Sequence, residues 1–148
     1  MRALAPLAIA ALLVPALPVM AQEFREVGAA ASVLYDGPSE RAQKRFIVVR
    51  GTPLEVVSSL GAWAKVRDYA GDVFWIPQAE LAPPRHVAVS RALASVRKTP
   101  GSVGELVFQA ERGVLLELVD EPAPAGWLRV RHRDGATGFV SADEVWGR

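Results

Sequence analysis

The sequence predicts an all-β fold, two tandem small β-barrels behind an N-terminal signal peptide. Three observations predict it. Residues 3–21 are free of charge after a single cation, Arg2. The rest of the chain is duplicated, residues 63–81 (WAKVRDYAGDVFWIPQAEL) aligning without a gap on residues 127–145 (WLRVRHRDGATGFVSADEV). Within each copy, short alternating segments are separated by Gly and Pro, which is the pattern of strands and turns rather than helices.

Residues 1–21 form the first element. A positive start, an apolar run and the small-residue end at Val19, Met20 and Ala21 have the layout of a secretory signal peptide. A membrane-spanning helix needs about 20 consecutive apolar residues, and Pro6, Pro15 and Pro18 interrupt this one. Cleavage is expected after Ala21. The next residue is Gln22 rather than Cys, so neither a lipid-anchored end nor a stable membrane anchor is expected afterwards. The chain has 17 Lys and Arg against 16 Asp and Glu. Loss of Arg2 leaves the mature chain neutral, which argues against nucleic acid as a partner, since that requires a basic footprint. There is no Cys, which excludes disulfides, thiol catalysis and cysteine metal sites, and no Asn, which excludes N-glycosylation.

The two copies are placed at residues 22–82 and 87–148, with a short Pro-rich junction at 83–86 that Pro83 and Pro84 make stiff. Trp63, Val66, Arg67, Gly71 and Glu80 coincide with Trp127, Val130, Arg131, Gly135 and Glu144. Upstream, residues 51–57 align with 113–119, and Ala31, Ser32 and Val33 with Ala94, Ser95 and Val96. A repeat of roughly 60 residues is too long for a solenoid unit and fits a small domain occurring twice. In the first copy Ala64 and Val66 face inward and Trp63, Lys65 and Arg67 outward; in the second, Leu128, Val130 and His132 oppose Trp127, Arg129 and Arg131. Residues 68–71 and Asp134-Gly135 make the hairpin turns. A short acidic helical turn follows each return strand, capped in the second copy by Ser141. Five or so short strands per copy favour closure into a small barrel, which removes exposed edges.

These residues carry a resemblance. Residues 126–131 (GWLRVR), Asp134-Gly135, Gly138-Phe139-Val140 and residues 94–97 (ASVR) resemble the bacterial SH3-like domain, as do residues 63–67 (WAKVR), Gly71, Trp75-Ile76 and residues 33–39 (VLYDGPS) in the first copy. The first copy departs from the pattern with Phe74 where the second has Gly138. The chain is similar to two-domain exported proteins of this family. The resemblance implies two SH3-like β-barrels and a periplasmic or secreted location. It also implies a cell-wall role, because such domains are found attached to cell-wall enzymes and bind peptidoglycan peptides or cross-bridges.

No catalytic constellation accompanies the repeat, and no enzyme, cofactor or metal is expected. His132 beside a turn reads as solvated, His86 as part of the junction, and Asp68, Asp72 and Asp134 as turn carboxylates rather than calcium ligands. The aromatic residues are the candidates for binding. Trp63 and Trp75 are expected on one face of a hairpin, as are Trp127 and Phe139, with Arg67 and Arg131 beside them to hold a carboxylate. The ordinary alternative is cross-strand aromatic packing. Tyr35 and Asp36 are placed in the variable loop, where SH3-like domains usually take their ligands. The leading expectation is a binding module for a peptidoglycan peptide or another envelope component; the rival is an adaptor that binds an envelope protein. No oligomeric state follows from the sequence.

Overall fold

The computed structural model describes residues 21–148. Apart from Ala21, the expected signal segment lies outside the described residues. Among the described residues the protein consists of two antiparallel sheets of seven strands each. The first holds β1 (Glu23–Val27), β2 (Ala31–Tyr35), β3 (Lys44–Val49), β4 (Pro53–Leu60), β5 (Trp63–Arg67), β6 (Val73–Pro77) and β7 (Leu81–Ala82), in the spatial order β3-β2-β6-β5-β4-β1-β7. The second holds β8 (His86–Val89), β9 (Leu93–Arg97), β10 (Leu106–Glu111), β11 (Leu115–Leu118), β12 (Trp127–Arg131), β13 (Thr137–Ser141) and β14 (Val145–Trp146), in the same order.

There are seven strands per sheet rather than about five. The surplus includes β7 and β14, two-residue strands that carry no alternation to read. The outermost strands of each sheet, β3 with β7 and β10 with β14, do not pair with each other. Each sheet nevertheless gathers its inward residues into one core. Leu34, Leu54, Ala64, Val66, Phe74 and Ile76 fill the first; Val96, Leu116, Val130 and Val140 lie at the centre of the second.

The repeat is visible in the backbone. Gly51 N donates to Val27 O at 2.9 Å, and Gly113 N donates to Val89 O at 2.8 Å. Both hairpin turns bring a glycine to the left-handed region, Gly71 and Gly135 at φ +94°, where a side chain is disfavoured. One alignment is corrected. Ala31 pairs with Val49 on β3, and the residue in the matching place of the second sheet is Leu93, opposite Glu111, not Ala94. Ser141 also does not cap a helix. Both acidic segments are 3-10 turns, and the Ser141 hydroxyl donates to the Asp143 carboxylate instead.

The two sheets are fastened together. Glu26 on β1 is buried, and its Oε2 accepts hydrogen bonds from Arg85 N (2.7 Å) and His86 N (2.9 Å), with His86 Nδ1 at 3.0 Å. A carboxylate oxygen holding two backbone donors can only accept, so the imidazole proton lies on Nδ1. His86 is the first residue of β8. Phe24 meets Trp146 edge to face, their centroids 4.9 Å apart. Gly147 is in the left-handed region at φ +123°, and a Cβ built on it would lie 2.5 Å from Pro53 Cβ, so its backbone lies against the Pro53 ring where only glycine fits.

Candidate ligand-binding face

The outer face of the first sheet brings Tyr35, Trp63, Trp75 and Lys65 together. Tyr35 is not in the variable loop. It ends β2, is 9% exposed, and stands opposite Trp75 on β6. Its ring meets Trp63 edge-on, centroids 5.3 Å apart and planes at 89°. The β5–β6 register sets Trp63 opposite Pro77 and Trp75 opposite Lys65. The two tryptophans share a face, as the alternation requires, but each has a different neighbour: Trp63 the tyrosine ring, Trp75 the Lys65 ammonium at 5.8 Å. Both are half-buried, and each leaves part of its ring accessible.

The second sheet repeats the arrangement with other chemistry. Trp127 stands opposite Ser141, and Phe139 opposite Arg129, whose guanidinium lies 5.4 Å from the phenyl ring. In both units the expected cross-strand aromatic pair is thus a cation over a ring, a contact of about 0.5–1 kcal/mol at exposed sites. Arg97, opposite Phe139, occupies the place of Tyr35 and donates from Nη1 to Gly104 O at 2.8 Å. Trp127 borders a shallow hollow of about 280 Å³ shared with Arg97, Asp143 and Glu144. The first face is aromatic; the second is polar and carries carboxylates.

Two expected carboxylate holders are already engaged. Arg67 Nη1 lies 2.9 Å from Glu55 Oε2, and Arg131 Nη1 lies 3.5 Å from Glu117 Oε2, the same ion pair in each copy. The acidic partners sit on β4 and β11, next to β5 and β12 in the sheets, a proximity that no single-strand pattern displays. Asp36 is also used internally. Its Oδ1 accepts from Gln43 N at 2.9 Å and closes the loop between β2 and β3. Lys98 and Glu105 close the matching loop with an ion pair at 2.8 Å.

The turn carboxylates bind backbone. Asp68 Oδ1 accepts from Ala70 N and Asp72 N, and Asp134 Oδ1 from Ala136 N. That last bond, with His132 Nδ1 at 3.1 Å, holds the Asp134 carboxyl below the ordinary carboxylate range. His132 is not fully solvated. Its side chain is 26% exposed, and its ring lies 5.5 Å from Phe108. Among the described residues no group of three or more acidic or histidine side chains is placed to hold a metal ion. Reading the sequence also missed a cleft between the units, lined by both histidines. Its residues come from separate copies, so no local motif announces it.

The family model described as "Bacterial SH3 domain" matches the chain twice, over residues 28–83 and 90–147. No curated protein sequence matches it. Among solved structures it is similar to NlpC2 from Trichomonas vaginalis (13% identity, 86% of this chain and 49% of that one, TM-score 0.38). It is similar also to NlpC1 from the same organism (15% identity, 95% and 51%, TM-score 0.39). A third is an NlpC/P60 family protein from Bacillus cereus (14% identity, 84% and 56%, TM-score 0.40). The chain spans about half the length of these structures. Likenesses this distant carry no argument about activity.

Proposed function

Because the chain belongs to the bacterial SH3 domain family, with one domain in each half, we propose that it is a non-enzymatic binding module acting outside the cytoplasm on a cell-wall peptide or another envelope component. One observation carries the reading. Trp63 and Trp75, backed by the buried Tyr35, form an aromatic platform that is partly open to solvent, while the contact between the two units is made by other residues, among them Phe24, Glu26 and Trp146. Aromatic rings supply apolar contact area at low conformational cost, and Lys65 adds one cation over the Trp75 ring. With Arg67 held by Glu55, the platform suits a largely apolar segment bearing a single carboxylate rather than a strongly anionic one.

The adaptor reading has its own observation. β3 is an edge strand, and it leaves Phe46 55% and Ile47 76% exposed, an apolar border on which another protein can seat. Co-sedimentation with purified peptidoglycan separates the two. Retention at low salt that falls in a folded Trp63→Ala variant supports the wall reading. Absence of retention by the folded wild-type protein overturns it in favour of the adaptor.

A further inference from the structure

The two units enclose between them a cleft of about 530 Å³, within the range of small-molecule sites. The first unit contributes Val49 and Arg50; the second contributes Val114, Leu115, Arg131 and Arg133. Three guanidinium groups therefore border one space, and among the described residues Glu117 is the one carboxylate that lines it. That carboxylate is taken by Arg131 at 3.5 Å. Among the described residues Arg50 and Arg133 have no acidic partner within ion-pair distance.

Both histidines line the same cleft and are oriented from behind. His86 is held through Nδ1 by Glu26, and His132 through Nδ1 by Asp134. Each ring thus keeps Nε2 as the nitrogen not engaged by those carboxylates. The cleft also has its apolar part in Val49, Val114 and Leu115. Like charges gathered around one space repel each other, and an anion placed among them relieves that repulsion. Guanidinium forks match carboxylates in particular.

We propose that this inter-unit cleft is a second binding site, for an organic anion of short-peptide or sugar size that carries carboxylates on a partly apolar body. It shares no lining residue with the Tyr35–Trp63 platform and does not rest on the wall-binding reading. It is assembled from both units, so it exists only while Glu26 and its partners hold them together.

The test is an NMR titration of the protein with citrate, with sulfate and the neutral trimethyl ester of citrate as the other arms. Citrate should give saturable shifts at the amides of Val114, Leu115 and His132. The ester should give none, and sulfate should bind more weakly, since it carries less charge and has no second carboxylate to reach a second guanidinium. The double variant Arg50→Gln, Arg133→Gln should keep its melting temperature, since both side chains are exposed, and lose about tenfold or more in citrate affinity. Arg133→Lys should lose less, keeping the charge without the fork. Shifts scattered over other basic residues, sulfate binding as tight as citrate, or unchanged affinity in the double variant would each overturn the proposal. Trp63→Ala should leave citrate affinity intact; loss there would move the anion to the aromatic platform and also overturn it.

Discussion

The Tyr35 ring stands perpendicular to Trp63, at 89° and 5.3 Å, and it is the tyrosine rather than the tryptophan that is buried. The two residues should therefore respond differently to truncation. Tyr35→Ala removes a side chain that supports the face and should lower the melting temperature measured by circular dichroism. Trp63→Ala removes an accessible ring and should lower retention on peptidoglycan while leaving most of the stability. Equal losses of stability in both variants would show that Trp63 is packing and not platform.

Salt should weaken any wall binding only modestly. Lys65 is the cation beside the platform that no carboxylate holds, because Glu55 takes Arg67. Raising ionic strength screens that one charge. Retention measured from low to physiological salt should fall by a few-fold at most, and a steep fall would point to a basic surface elsewhere.

Val66 and Val130 are each fully buried at the centre of separate cores. Truncating either to Ala should cost about 1–3 kcal/mol in chemical denaturation. The two sites share no core, so the double variant should lose close to the sum, within about 0.5 kcal/mol.

Gly147→Ala should loosen the contact between the units. Its Cβ would enter Pro53 at 2.5 Å, and its φ of +123° disfavours any side chain. Gly61→Ala is the control, since Gly61 also has positive φ but open space around it. Small-angle scattering should show a larger radius of gyration for the first variant only, and the nuclear Overhauser contact between Phe24 and Trp146 should disappear with it.

Asp134 sets a small pH dependence. Its carboxyl is held below the ordinary range by Ala136 N–H and then by His132. A carboxyl that is more acidic folded than unfolded contributes stability above its unfolded pKa, and that contribution is lost as pH falls through the folded value. Asp134→Asn should therefore narrow the loss of stability below about pH 4 and match the wild type at the acid end, as read by urea midpoints across the acid range. Because the side chain is exposed, the difference should be small.

What was legible in the sequence was what recurs locally. Ala64, Val66 and Val130 face inward because alternation within one strand fixes the face, and the hairpin turns at Gly71 and Gly135 were legible from their residue types. The match of Ala31-Ser32-Val33 with Ala94-Ser95-Val96 misled for a physical reason. In a strand, a slip of one residue sends every side chain to the opposite face, and this one hid Arg97 as the counterpart of Tyr35. The engagement of Arg67 by Glu55 and of His86 by Glu26 depends on which strands and units become neighbours, which neither copy displays alone.

Glu26 gathers two backbone amides and an imidazole, so the angle between the units is set by bonds rather than by the length of a linker. For a target that offers a different group to each face this determines avidity. A flexible tether gives a second contact an effective concentration over a broad range of spacings; a fixed one gives a high value at a single spacing and almost none elsewhere. A protein fastened in this way would act as a gauge, strengthening its hold only on a target that presents unlike groups at the separation of its two unlike faces.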